Sequence, residues 1–326
     1  MGRLALVTGA TGFIGRHLVD QLADRGWQIR ALVRASSDVR HLEQVGAQLA
    51  TGDLASADSL ARAADGCDTV FHLAAVTAAR SEGVYRRANV EGVETLVGAI
   101  LASSRPPRRL VYLSSYAACG PATPGQLRPR EAPPAPLTAY GRTKLAGEGV
   151  AKTAIANDVQ VLIIRAPAVY GPGDRALLPY FRLVRWGLAP EPGGAERQLH
   201  LLFAPDLASA LRRAADAPTG TFAVAEPVVH RWSDVVSAMA SALGRRPLRF
   251  ALPAPLLRSA AAATEAIGRF SGRAVPFNRE KAEEMLAPAW TCDLSGMKEL
   301  LPAEQVTPLA RGIEQTVRWY IRQGWL

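Results

Sequence analysis

The sequence predicts a doubly wound α/β fold, a parallel sheet with helices on both faces and a smaller C-terminal lobe. Three observations predict it. Short, fully apolar runs alternate with helically spaced stretches from the start of the chain through Tyr170. The first apolar run passes through a glycine-rich turn straight into a helical pattern. After Tyr170 the alternation loosens and helical patterns take over. Short runs that are apolar on both sides suit strands buried on both faces, as in parallel sheets. The helices between them are the crossovers that such sheets require.

In chain order, the strand patterns are Leu4 to Val7, Gln28 to Val33, Ala47 to Thr51, Thr69 to Leu73, Leu110 to Leu113 and Val161 to Ile164. Helical spacing covers Phe13 to Ala23, Ser56 to Ala64, Tyr85 to Ala102 and Thr138 to Ala156. Pro121 to Pro136 is a proline-rich loop, and Gly171-Pro172-Gly173-Asp174 is a turn cluster. Leu199 to Phe203 and Thr221 to Val224 read as two further strands, and helices dominate from Trp232. Residues 1–170, with 199–223 returning to them, are expected to form one domain; 171–198 and 224–326 are expected to form a substrate-binding lobe.

Composition narrows the classes. The 326 residues are 48% hydrophobic and 21% charged, the balance of an ordinary globular protein. No apolar run reaches the ~18–20 residues that span a bilayer. The start, Met1-Gly2-Arg3-Leu4, enters a strand pattern without the features of a signal peptide, so the cytoplasm is the expected compartment. The net charge of +9 comes from scattered arginines with no run of five basic residues, which argues against a nucleic-acid partner and suits an anionic cofactor. Cys67, Cys119 and Cys292 are too far apart for a disulfide framework or a zinc site and read as buried small residues.

The turn is Thr8-Gly9-Ala10-Thr11-Gly12-Phe13-Ile14-Gly15. Its glycines allow a tight bend, let backbone N–H groups approach a pyrophosphate, and let helix pack close to strand. The helix N-terminus adds positive potential for the phosphates. These are the marks of a Rossmann-type dinucleotide site. The acidic residue that would hold the adenosine ribose is missing; the place reads Leu32-Val33-Arg34, and Arg34 suits a 2′-phosphate. Asp53-Leu54 follows the third strand, where a carboxylate meets an adenine amino group. Leu73-Ala74-Ala75 follows His72, where small residues let backbone near the cofactor, and His72 itself reads as a core or capping residue. Tyr140 and Lys144 stand four apart on one helix, hence on one face. A lysine cation beside a phenol favours the phenolate and fits it for proton transfer. Ser114-Ser115 ends the fifth strand, at the sheet edge where ligands bind.

Together these residues resemble the extended type of the short-chain dehydrogenase/reductase superfamily, in the NAD-dependent epimerase/dehydratase family, with relatives such as dihydroflavonol reductase and 3β-hydroxysteroid dehydrogenase. The resemblance covers nearly the whole chain; it adds Asn89-Val90-Glu91-Gly92, Arg165 to Asp174, Trp290 to Asp293 and the ending Gly324-Trp325-Leu326. It implies that Tyr140 is the acid/base, that Lys144 lowers its pKa and holds the nicotinamide ribose, and that Ser115 rather than Ser114 is the site serine. It implies that Asn89 organises a proton-relay water, and that Pro167 and Val169 line the nicotinamide site. It also implies a homodimer through the helices of Tyr85 to Ala102 and Thr138 to Ala156. Two departures stand out. Cys119 replaces a common tyrosine before Gly120, making one wall of the substrate site smaller and less polar. Val33-Arg34 replaces the acidic ribose binder, which turns the expectation toward NADP, with NAD as the alternative.

The expected activity is interconversion of a ketone or aldehyde with an alcohol on a small, rather apolar substrate. The alternatives are a nucleotide-sugar epimerase or dehydratase with bound NAD and a non-catalytic dinucleotide-binding scaffold. The segment Ala251 to Phe270 either lines an apolar pocket or packs a core, and Arg182, Arg185 and Arg197 either hold a sugar diphosphate or are solvated.

Overall fold

The computed structural model describes residues 2–271, 275 and 277–326; the side chains of residues 269–271 and Met1 lie outside the description. Seven parallel strands form the main sheet: β1 (Leu4–Thr8), β2 (Gln28–Val33), β3 (Gln48–Thr51), β4 (Thr69–His72), β5 (Arg109–Ser115), β6 (Gln160–Ala166) and β7 (Gly220–Ala223). Their order is β7-β6-β5-β4-β1-β2-β3. The chain therefore winds one way from β1 to β3 and the other way from β4 onward. The crevice between the ends of β1 and β4 is the switch point where doubly wound sheets bind ligands.

The strand period of two sends alternate residues to opposite faces. In β1, Ala5 and Val7 pack with α1 (Phe13–Ala23), while Leu6 packs on the other side with α2 (Ala57–Ala64), α3 (Gly92–Leu101) and α4 (Ala139–Thr153). Helix α1 sends Leu18, Val19 and Leu22 into the first cluster, as its apolar spacing requires. Ser56 starts α2 by accepting a hydrogen bond from the Ser59 N–H, and Thr138 starts α4 by accepting one from the Gly141 N–H. The remaining large helices are α5 (Leu178–Arg185), α6 (Ala204–Arg213), α7 (Trp232–Leu243), α8 (Ala254–Ser271), α9 (Arg279–Leu286) and α10 (Leu309–Arg322). Helix α6 joins α1 on its face of the sheet, while α5, α7 and α10 build a separate core around Phe181, Met239 and Tyr320.

Several elements differ from expectation. The helix expected over Tyr85 to Ala102 is broken by a π-helical turn at Arg87–Glu91, where Asn89 bonds to the loop at Val76. Thr138 to Ala156 ends its α-helix at Thr153 and continues as a 3₁₀ turn over Ala154–Asn157. Leu199 to Phe203 is two strands: Gln198–Leu199 lies between His230–Arg231 and Ala289–Trp290, whereas Leu201–Phe203 pairs with Ala168–Tyr170. Leu188–Pro192 and Leu248–Leu252 form one more two-stranded sheet, and Pro253 separates the second of them from α8. The stretch Ala251 to Phe270 is not core throughout: Leu257 and Ala261 are buried, but Leu256 and Ile267 face solvent. Among the described residues, no helix is long and apolar enough to cross a membrane.

Candidate active site

The turn after β1 is built by contacts that only glycine allows. Gly9 has φ +74°, and a Cβ there would meet the Ala74 nitrogen at 2.8 Å, so the ends of β1 and β4 touch through it. A Cβ at Gly15 would sit 2.1 Å from the Gly9 carbonyl oxygen. Gly12 begins α1 without a side-chain cap, so the first-turn N–H groups, among them those of Phe13 and Ile14, face the crevice mouth with no side chain to satisfy them. A cradle closed to side chains and rich in N–H donors fits a dinucleotide pyrophosphate. Arg16 folds back to donate to the Thr11 carbonyl at 3.2 Å, and His17 bonds to the Pro172 carbonyl at 2.8 Å, fixing the later turn over α1. The half-buried Leu73, Ala74 and Ala75 form the opposite lip. Ala74 N–H donates to Thr8 Oγ1 (3.3 Å), which also bonds to His72 Nδ1 (2.8 Å). Burial, with the nearby Lys144, pushes His72 down to about 3, so it is a neutral core residue.

At the end of β2, Val33 is buried and Arg34 is exposed. The Arg34 N–H donates to the Ser37 hydroxyl at 3.1 Å, which turns the chain there. Asp38, on the same loop, is paired with Arg40 at 2.7 Å and feels Arg16 as well, and those partners hold its carboxyl well below the usual range. The Asp53 side chain is exposed after β3 and accepts from the Ala55 N–H at 2.9 Å. Leu54 packs beside Gly92, at the start of α3.

Ser115 and Tyr140 meet. Ser115, last in β5, accepts from the Ala117 N–H at 3.2 Å, and its hydroxyl bonds to the Tyr140 phenol. Burial of that phenol pushes it up to about 12; Glu284 and Tyr85 push the same way and Ser115 partly offsets them. Lys144 Nζ donates to the Leu113 carbonyl at 2.7 Å and lies 4.2 Å from the centre of the Tyr112 ring; burial brings it down to about 7. Lys144 is not among the groups that shift Tyr140 in this structure. Helical spacing does put both on one face, but the ammonium turns to Leu113 and Tyr112, and burial governs the phenol. Pro167 is buried and Val169 half-buried, just beyond β6. Asn89 sits in the π turn: its Oδ1 accepts from Val76 N–H (2.9 Å) and its Nδ2 donates to the Val76 carbonyl (3.0 Å) and Thr143 Oγ1 (3.3 Å). Those bonds clamp the loop after β4 onto α4.

Sequence reasoning missed the residues that reach this site from the C-terminal third. Glu280 accepts from the Ala139 N–H at 2.7 Å and Glu284 from the Thr138 hydroxyl at 3.1 Å, so α9 caps the helix that carries Tyr140. A cleft of about 350 Å³ opens there between Tyr85, Ala139, Asn278 and Glu280. The Cys119 and Cys292 thiols are hydrogen-bonded partners; the bond draws Cys119 down to about 7 and drives Cys292 up. Arg182 and Arg197 donate to main-chain carbonyls, Arg182 to Trp325 and Arg197 to Pro192 and Ala195, while Arg185 is exposed.

The crevice, the glycine cradle and the paired hydroxyls define a class, that of dinucleotide-dependent α/β enzymes. Known proteins make the membership definite. The NAD dependent epimerase/dehydratase family matches residues 5–225, and the chain belongs to that family. It is similar to the ceramide reductase of Caulobacter vibrioides, 31% identical over 98% of this chain and 95% of that protein. It also resembles the 4-hydroxy-2-methyl-3-oxo-4-farnesyl-3,4-dihydroquinoline-1-oxide ketoreductase of Stigmatella aurantiaca, 35% identical over 53% of this chain and 52% of the relative. Among solved structures, MoeE5 in complex with UDP-glucose and NAD is 27% identical, with a TM-score of 0.75 over 99% of each chain. The chain is an NAD(P)-dependent oxidoreductase of the extended short-chain dehydrogenase/reductase type.

Proposed function

We propose that this enzyme reduces a ketone or aldehyde on an apolar small molecule and prefers NADP(H). The observation that carries the proposal is the Ser115–Tyr140 hydroxyl pair, held at the sheet edge beside the glycine cradle, with the phenol protonated at neutral pH because its pKa is about 12. A bound nicotinamide supplies the hydride. Ser115 holds the reacting oxygen, and Tyr140 gives it a proton. Lys144 holds the nicotinamide ribose, and Asn89 fixes the loop that borders the site. Gly9, Thr11, Gly12, Phe13, Ile14 and Gly15 receive the pyrophosphate, Asp53 and Leu54 the adenine, and Arg34 the 2′-phosphate. Leu73, Ala74, Ala75, Pro167 and Val169 flank the dinucleotide. Residues 1–170 with 199–223 are its domain, and 171–198 with 224–326 receive the substrate. A homodimer through the helices of residues 85–102 and 138–156 belongs to the same proposal.

Two relatives support an apolar substrate, since one is named for ceramide and the other for a farnesyl-bearing compound. A second reading, a nucleotide-sugar epimerase that retains NAD, is favoured by the likeness to MoeE5 with its UDP-glucose and NAD. Against it, Arg182 and Arg197 already serve main-chain carbonyls. The intact Ser–Tyr–Lys set opposes a scaffold without chemistry. A panel of apolar ketones and UDP- or dTDP-sugars, followed by NADPH and NADH consumption, tests the proposal. Net NADPH consumption with an apolar carbonyl compound is expected. Epimer formation from a nucleotide sugar with no net cofactor change would replace the first reading by the second.

A further inference from the structure

We propose that the outer face formed by Leu188–Pro192, Leu248–Leu252 and helix α8 docks this protein peripherally on an anionic lipid bilayer. The two strands pair in parallel, with Leu188 beside Leu248. One side of this small sheet backs onto α7: Ala189 is fully buried, and Arg249 donates to Ser237 Oγ at 2.8 Å. The strand period of two sends Leu188, Leu248 and Phe250 the other way, where they are 40%, 67% and 40% exposed. Trp186, just ahead of the first strand, is 73% exposed.

Helix α8 continues the surface. Its Leu257 and Ala261 are buried with Ala282 of α9. Leu256, Ala260, Ala263 and Ile267 recur at helical spacing on a second stripe, and all four are exposed. Leu252 packs against the buried cluster of Leu257, Ala261 and Ala282, so the second strand ends against the inner side of the helix. So many large apolar side chains exposed on neighbouring elements call for an occupant.

The charge identifies the occupant. Residues 178–192 and 244–268 hold two carboxylates, the half-buried Glu191 and Glu265, against Arg182, Arg185, Arg245, Arg246, Arg249 and Arg258. Arg249 is bonded to Ser237 and Arg258 to Glu283, while Arg185, Arg245 and Arg246 are exposed at the rim. Apolar side chains, a tryptophan and an excess of arginines over carboxylates are the surface that enters the headgroup boundary of an acidic membrane. A second copy of a chain with net charge +9 would bring arginines against arginines. The far end of α8 reaches the cleft beside Tyr85 and Ala139, since Gly268 lines it.

The proposal stands apart from the reductase reading, because its test needs no turnover. The full chain is floated with vesicles of phosphatidylcholine alone and of phosphatidylcholine mixed with phosphatidylglycerol. It should float with the mixed vesicles, much less with the neutral ones, and less again in high salt. R245Q/R246Q should weaken binding about 30-fold. W186S/L248S/F250S should abolish it with an unchanged melting temperature; if that variant melts early, the arginine pair alone decides. No flotation of the wild type with mixed vesicles would overturn the proposal. So would flotation that neither variant weakens, or light scattering that shows the apolar variant breaking a dimer while no lipid is bound.

Discussion

Ser114 and Ser115 are neighbours in β5, yet they belong to two different kinds of polar site. Ser114 is buried and donates to Glu148 Oε1 at 2.5 Å; Glu148 in turn accepts from Arg165 at 2.9 and 2.7 Å. Glu148 is 1% exposed, and its two oxygens carry three hydrogen bonds. Ser115, the last residue of the strand, meets instead a tyrosine two turns before Glu148 on the same helix, whose pKa is displaced, beside a lysine brought down to about 7. The first site is satisfied within the protein and acts as a strut between β5, β6 and α4. In the proposed function the second supplies the proton-carrying groups, which a substrate at the crevice completes. One residue of register separates support from chemistry.

Perturbing each side should separate stability from turnover. The largest effect is expected from Glu148→Ala, which leaves Arg165 partly buried without its partner. It should cost about 3–5 kcal/mol of stability, read as a lower denaturation midpoint; an unchanged midpoint would mean that the buried pair is not a strut. Arg34→Ala, at the cofactor end, should weaken NADPH binding by about ten- to a hundredfold, the ~1.5–3 kcal/mol of a charge-assisted hydrogen bond, while NADH binding and stability stay as they were. Equal NADPH and NADH affinities in the unchanged protein would remove Arg34 from the site. The smallest effect concerns Glu284, whose carboxylate helps hold the Tyr140 phenol up. The proposed reduction needs the protonated phenol, so on that proposal its rate falls as pH rises through the Tyr140 pKa. Glu284→Gln lowers that pKa and should shift the alkaline limb of the rate profile to lower pH; an unmoved limb would show that α9 does not act on Tyr140.

The first half of the fold and the dinucleotide crevice were legible because their determinants are local. Gly9, Gly12 and Gly15 lie within one turn, and the strand-helix alternation is written in consecutive residues. The choice of Ser115 over Ser114 came from a family resemblance, whereas the Glu148 bond that occupies Ser114 was not foreseen. What escaped depends on distant pairing. Gln198–Leu199 and Leu201–Phe203 look like one strand until segments far along the chain claim each piece separately. Glu280 and Glu284 reach Ala139 and Thr138 across more than a third of the sequence, and no local pattern announces that. For Lys144, spacing gave the correct helix face but not the direction of a flexible side chain, which the Leu113 carbonyl and the Tyr112 ring decide.

The central claim is that Tyr140, oriented by Ser115, carries the proton of the reaction. Its most direct test is Tyr140→Phe, assayed for turnover and, in parallel, for dinucleotide binding and melting temperature. Removing the phenol oxygen should lower turnover by ~10²–10⁴-fold and leave dinucleotide affinity and melting temperature nearly unchanged. Wild-type turnover in that variant would contradict the account.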